Sequence, residues 1–152
     1  PSGWPHGNVG VKISSALFNV AFPNRLGEVF DASTGYRLPS GDTVEPDVSF
    51  ISAARFQAGP PPRRGKFLEI VPNLIVEILS TPTAARDRGE KKAIYERNGV
   101  DEYWLVDVDR GEIAVYVLTS GRYGPAIVYR GTDRVISSVL PLLSVTVDSL
   151  LN

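Results

Sequence analysis

In the stretch VPNLIVEILSTP, residues 71–82, one carboxylate, Glu77, sits among Val71, Leu74, Ile75, Val76, Ile78 and Leu79. A run this short and apolar has the pattern of a strand buried on both faces. An ionised carboxylate taken out of water is costly unless a metal ion, a cationic side chain or a proton compensates it. A second acid, Asp47, follows Pro46 at the head of another apolar run, PDVSFI, and Lys91 and Lys92 lie in the helical pattern after the Glu77 run. Two carboxylates on neighbouring strands can hold a hard divalent cation, typically Mg²⁺, which polarises a phosphate and lowers the pKa of an attacking water. A nearby ammonium offsets the charge that develops. This set of groups is what metal-assisted phosphodiester hydrolysis uses.

Other chemistries find less support. There is no Cys, so disulfides, thiolate zinc sites and a Cys nucleophile are excluded together, and a reducing compartment is the natural expectation. His6 is the only histidine and no Gly-x-Ser-x-Gly element accompanies it, which argues against a Ser–His–acid triad. We read His6 as a capping or surface residue ahead of the first helix, with a place at the rim of the site as the lesser alternative. GPPPRRGK superficially resembles a phosphate loop, but it is one residue too long and its prolines lack the N–H donors such a cradle needs. Arg63, Arg64 and Lys66 either touch DNA phosphates or form an exposed basic loop, and the second reading is preferred. With Lys+Arg 16 against Asp+Glu 17 the formal net charge is -1, so any basic surface must be local.

Each candidate has a plainer explanation. Glu77 taken alone is as readily a strand acid paired with Arg or Lys. Asp47 after Pro46 is a common strand-entry residue, and either lysine fits a solvated, charged helix face. Glu28 is a weak further carboxylate near the end of the first helical region. Tyr95, Tyr103 and Trp104 fall where a helix and a strand would pack, and we read them as core.

The elements that must position these groups are legible in outline. Residues 9–22 place Val9, Ile13, Ala16, Leu17, Val20 and Ala21 at helical spacing, ended by Pro23. Short β-rich pieces near 28–30, 36–38 and 47–51 alternate with Gly, Pro, Asp and Ser turns, and the prolines of 58–66 mark a loop. The run 71–79 precedes a helix over 83–98, with Thr81 or Thr83 as the N-cap region, Pro82 in the first turn and Gly99 as C-cap. Strands follow at 103–106, 113–118 and 126–129. Strand–helix–strand over 71–106 implies a parallel crossover and the later strands imply hairpins. The expectation is one α/β domain over 1–152 with a central mixed sheet flanked by helices. No run reaches the roughly 20 apolar residues of a spanning helix and no signal pattern opens the chain, so a soluble, cytoplasmic protein is expected. The chain begins at Pro1 and contains no Met, so residues upstream are expected to be missing.

In this order and at these separations, EPDVSFIS, PNLIVEILSTP, DRGEKKAIY and NGVDEYWLVD resemble the Uma-type restriction endonucleases, long filed as a domain of unknown function within the PD-(D/E)XK nuclease superfamily. The resemblance covers about residues 6–150 and rests on the ordered combination, since each motif alone is weak. It implies a restriction-endonuclease-like core and a metal-dependent endonuclease acting on DNA. Asp47 and Glu77 would be the ligands of Mg²⁺ or Mn²⁺. The superfamily lysine normally stands two residues after the second acid, where this chain has Leu79. The resembling group is thought to carry it on the following helix, which here means Lys91, with Lys92 as fallback. Asp87, four residues before Lys91, would share its helix face and orient the ammonium. A homodimer is implied on the same basis. Two competing readings are a nuclease-fold module that has lost catalysis and binds nucleic acid or a protein, and a hydrolase using the two acids as an acid/base pair, as glycosidases do.

Overall fold

The computed structural model describes residues 3–79 and 84–152, with side chains over 4–79 and 89–152. Among the described residues four helices and nine strands follow in order: α1 (Gly3–Ala21), β1 (Gly27–Phe30), β2 (Tyr36–Arg37), β3 (Thr43–Val44), β4 (Val48–Ser52), α2 (Ala53–Ala58), β5 (Leu74–Ile78), α3 (Ala84–Arg97), β6 (Glu102–Asp107), β7 (Glu112–Thr119), β8 (Arg122–Tyr123), β9 (Ile127–Arg130) and α4 (Val147–Leu151). The central sheet has the order β1-β4-β5-β6-β7-β8, with β9 also paired to β7, and β2 and β3 form a separate hairpin. β5 and β6 are parallel, joined through α3, and the other pairings in the central sheet are antiparallel. The expected mixed sheet flanked by helices is therefore present.

Period-2 alternation divides the core into two layers. Leu74, Val76 and Ile78 of β5 join Val48, Phe50, Trp104 and Val106 beneath Val9, Ile13 and Leu17 of α1. Ile75 faces the other way, into a cluster with Ile51, Tyr95, Tyr103 and Leu105 on the α3 side. Since Glu77 lies two residues beyond Ile75, the same alternation aims it at α3. Tyr95, Tyr103 and Trp104 are core residues, as expected.

Several elements differ from the sequence reading. α1 starts six residues earlier than the apolar periodicity, because a proline in a first turn, here Pro5, forfeits no intrahelical hydrogen bond. His6 therefore lies within α1 rather than ahead of it. α2 replaces an expected strand-to-loop passage: Ser52 caps it by accepting from Arg55 N at 3.2 Å. The short strands β3 and β8 and the helix α4 carry too few residues to show a period. The N-cap region proposed at Thr81, Pro82 and Thr83 lies outside the described residues.

Candidate active site

The register of β4 against β5 explains why two acids distant in sequence meet. Val48 pairs with Val76 and Ser49 with Ile75, so one step further along the same antiparallel ladder Asp47 faces Glu77. The side chains interlock with the backbone at this end of the pair. Ile78 N donates to Asp47 Oδ2 at 2.7 Å, and Asp47 N lies 3.3 Å from Glu77 Oε1 as its donor. Pro46 stops the ladder, leaving the Asp47 carboxylate at the strand head and not within a sheet row.

α3 supplies the opposing charge. Lys91 and Tyr95 are four residues apart and share a helix face. Lys91 Nζ stands 3.2 Å from Glu77 Oε2, and Tyr95 OH donates to the same oxygen at 2.5 Å. His6 reaches in from α1, its Nε2 3.3 Å from Asp47 Oδ1. Glu77 is only 5% exposed, and burial pushes its pKa above the ordinary carboxylate range. The Lys91 ammonium and the Tyr95 hydrogen bond pull it down, and the Asp47 charge pushes it up again. The Tyr95 phenol is driven well above its usual value, first by burial and then by the Glu77 charge, so it stays a hydrogen-bond donor.

Of the residues singled out in the sequence, Asp47, Glu77 and Lys91 are brought together. Lys92, the fallback lysine, is not with them: one helix position rotates it away, and its Nζ lies 4.5 Å from the centre of the Tyr116 ring. Glu28 is exposed on β1 opposite Ile51, four residues along β4 from Asp47, which is roughly 13 Å at strand rise. Asp87 lies on α3, where its side chain is outside those described. Tyr95 was read as core alone, and its hydroxyl is also a partner of Glu77. The four-residue spacing from Lys91 was the available signal. His6, given mainly a capping or surface role, is instead against Asp47, and only the packing of α1 on the sheet puts it there.

Does this donor set suit a divalent metal? Among the described residues no group of three or more Asp, Glu, His or Cys gathers as a ready-made cage, here or elsewhere. Mg²⁺ does not need one, since it is commonly held by one or two carboxylates, with water and substrate phosphate filling the other positions. Two facing carboxylates, one disfavoured as an anion by burial and by its neighbour, are the kind of site that such a cation relieves. The residues fit the ion.

A protein-family model described as "Uma2: Putative restriction endonuclease" matches residues 1–148. No curated protein matches the chain. Among solved structures, one described as a "putative nuclease belonging to DUF820" from Anabaena variabilis aligns with TM-score 0.80 at 19% sequence identity, over 98% of this chain and 81% of that one. A chain of the DrdV–DNA complex aligns with TM-score 0.40 and 10% identity over 79% of this chain and 12% of its own length.

Proposed function

This chain belongs to the Uma2 family of restriction-endonuclease-like proteins, and on that footing we propose that it is a divalent-metal-dependent endonuclease hydrolysing phosphodiester bonds of DNA. The observation that carries the reading is the meeting of Asp47, Glu77 and Lys91 at the ends of β4 and β5, with Lys91 Nζ 3.2 Å from Glu77. Asp47 and Glu77 would hold Mg²⁺ or Mn²⁺, and when bound the ion supplies Lewis-acid polarisation of the phosphate and a more acidic water. The protein's own groups do the rest. Ile78 N fixes one oxygen of Asp47 and His6 stands at the other, so the carboxylate is held in one orientation. Tyr95 holds Glu77 from beneath. Lys91, 39% exposed, places positive charge at the edge of the site, where negative charge would accumulate on the scissile phosphate.

DNA would approach over local basic surface, in keeping with the near-balanced net charge. Arg37, Arg63 and Lys66 line a groove of about 710 Å³ that also takes in Glu45, two residues before Asp47. No helix among the described residues is long and apolar enough to cross a membrane. We place the enzyme in the cytoplasm, acting as a homodimer to cut two strands.

The test is Mg²⁺ and Mn²⁺ calorimetry on the wild type, Asp47→Ala and Glu77→Ala, with cleavage of supercoiled and linear DNA with and without chelator. Metal binding and cutting by the wild type, both lost in both variants, is expected. A wild type that binds no metal yet retains DNA would overturn catalysis in favour of a nucleic-acid-binding module. Cleavage surviving exhaustive chelation would overturn the metal role.

A further inference from the structure

The outward face of α1 does not look like a solvated helix face. Trp4, Val11 and Phe18 recur every seven residues and are 81%, 64% and 49% exposed, and Phe22, one turn beyond Phe18, is 68% exposed. Phe18 and Phe22 stack with ring centres 5.1 Å apart. The other exposed positions on this helix, Gly7, Asn8, Ser15 and Asn19, are small or uncharged. Among residues 3–21 the one Lys, Lys12, is turned aside onto the Asn152 carbonyl. α3 shows the contrast, with acids and bases over most of its length. Charge depletion with exposed aromatics is the composition of an interface core rather than of solvated surface.

We propose that this stripe is the surface on which a second copy of the chain docks, α1 against α1 in antiparallel array about a two-fold axis at Val11. Two features select that occupant. A seven-residue repeat is self-complementary: with Val11 on the axis, Trp4 of one copy falls opposite Phe18 of the other, and the reverse, as an isologous contact requires. Trp4, Val11 and Phe18 at their observed exposures offer roughly 400 Å², about half of the ~800 Å² each partner of a stable complex buries, and Asn8 and Ser15 lie between them.

This gives the proposed homodimer a surface, but stands apart from the nuclease reading because cleavage is not the readout. Sedimentation equilibrium of the metal-free protein should show a dimer, and Val11→Glu and Val11→Lys should each weaken association at least tenfold. Each dissociated variant should still unfold in one cooperative thermal transition, since the side chain at position 11 is exposed. An equimolar mixture of the two variants should recover the dimer, because position 11 meets itself. The chain has no native Cys, so Trp4→Cys mixed with Phe18→Cys should cross-link to each other in preference to self-pairing. Ile127→Glu, on another exposed apolar position, should leave the dimer intact. A monomeric wild type, a dimer that survives Val11→Glu, or Trp4→Cys linking chiefly to itself would overturn the proposal.

Discussion

Replacing Glu77 by Gln keeps the shape of the side chain and an oxygen to accept from Tyr95 and Lys91, and removes only the ionisation. In the metal-free protein the folded-state pKa of Glu77 lies above its ordinary value of 4.5, with burial as the largest cause. The sign follows from linkage. Below about pH 4.5 the group is protonated in both folded and unfolded states, so wild type and variant should differ by a constant. Above that value the unfolded chain releases its proton first, and the wild type loses stability relative to Glu77→Gln by at most ~1.4 kcal/mol per pH unit. The loss ends once pH passes the folded pKa, where the difference levels off. Urea denaturation of both proteins in chelator from pH 4 to 8 reads this directly. Mg²⁺ should then act on the wild type alone, adding about 2.7 kcal/mol at a hundred times the dissociation constant. That corresponds to a Tm rise of roughly 5–11 °C for a chain of this size. Parallel stability curves throughout, or a wild type that gains on the variant as pH rises, would refute the account by showing that Lys91 and Tyr95 outweigh burial.

Tyr95→Phe removes the buried hydrogen bond to Glu77; calorimetry should show weaker Mg²⁺ binding at neutral pH, and denaturation a loss of about 1.5–3 kcal/mol. Glu102 is fully buried and accepts from Trp104 Nε1, Ser137 Oγ, both N and Oγ of Ser138, and Val139 N, so it ties the 137–139 loop to β6. Glu102→Gln turns an NH₂ toward those donors and should cost about 2–4 kcal/mol in urea denaturation, with Mg²⁺ affinity per folded molecule unchanged. Gly27→Ala would set a Cβ 2.1 Å from Ile51 O at a φ of +154°, so β1 should lose its protection in hydrogen exchange while β5 and β6 retain theirs. Lys91→Ala should abolish cleavage but spare DNA affinity in a filter-binding assay. Lys92→Ala, whose ammonium rests on Tyr116, should leave both cleavage and DNA affinity unchanged.

The general architecture was legible because it rests on local periodicity, and the family because the motifs that resemble it keep their order and separations along the chain. The apolar run of residues 71–79, the helical spacing in the segments before and after it and the ordered motifs survive in a linear reading. The same reading singled out Asp47 and Glu77, because an acid inside an apolar run needs an explanation that the run itself does not contain. It left Lys91 and Lys92 separated only by preference, since both sit on one charged helix. The 100° between consecutive helical positions, set against a sheet whose location the sequence does not state, sends one to Glu77 and the other to Tyr116. It misplaced His6 because a short Gly- and Pro-containing start shows no period, and it passed over Glu102, most of whose donors belong to the 137–139 loop, 35 or more residues away. Sequence by itself determined which residues are out of keeping with their neighbours. Only the tertiary structure decided which of them face one another, because register and helix rotation are settled by burial of the whole core and not by any one segment.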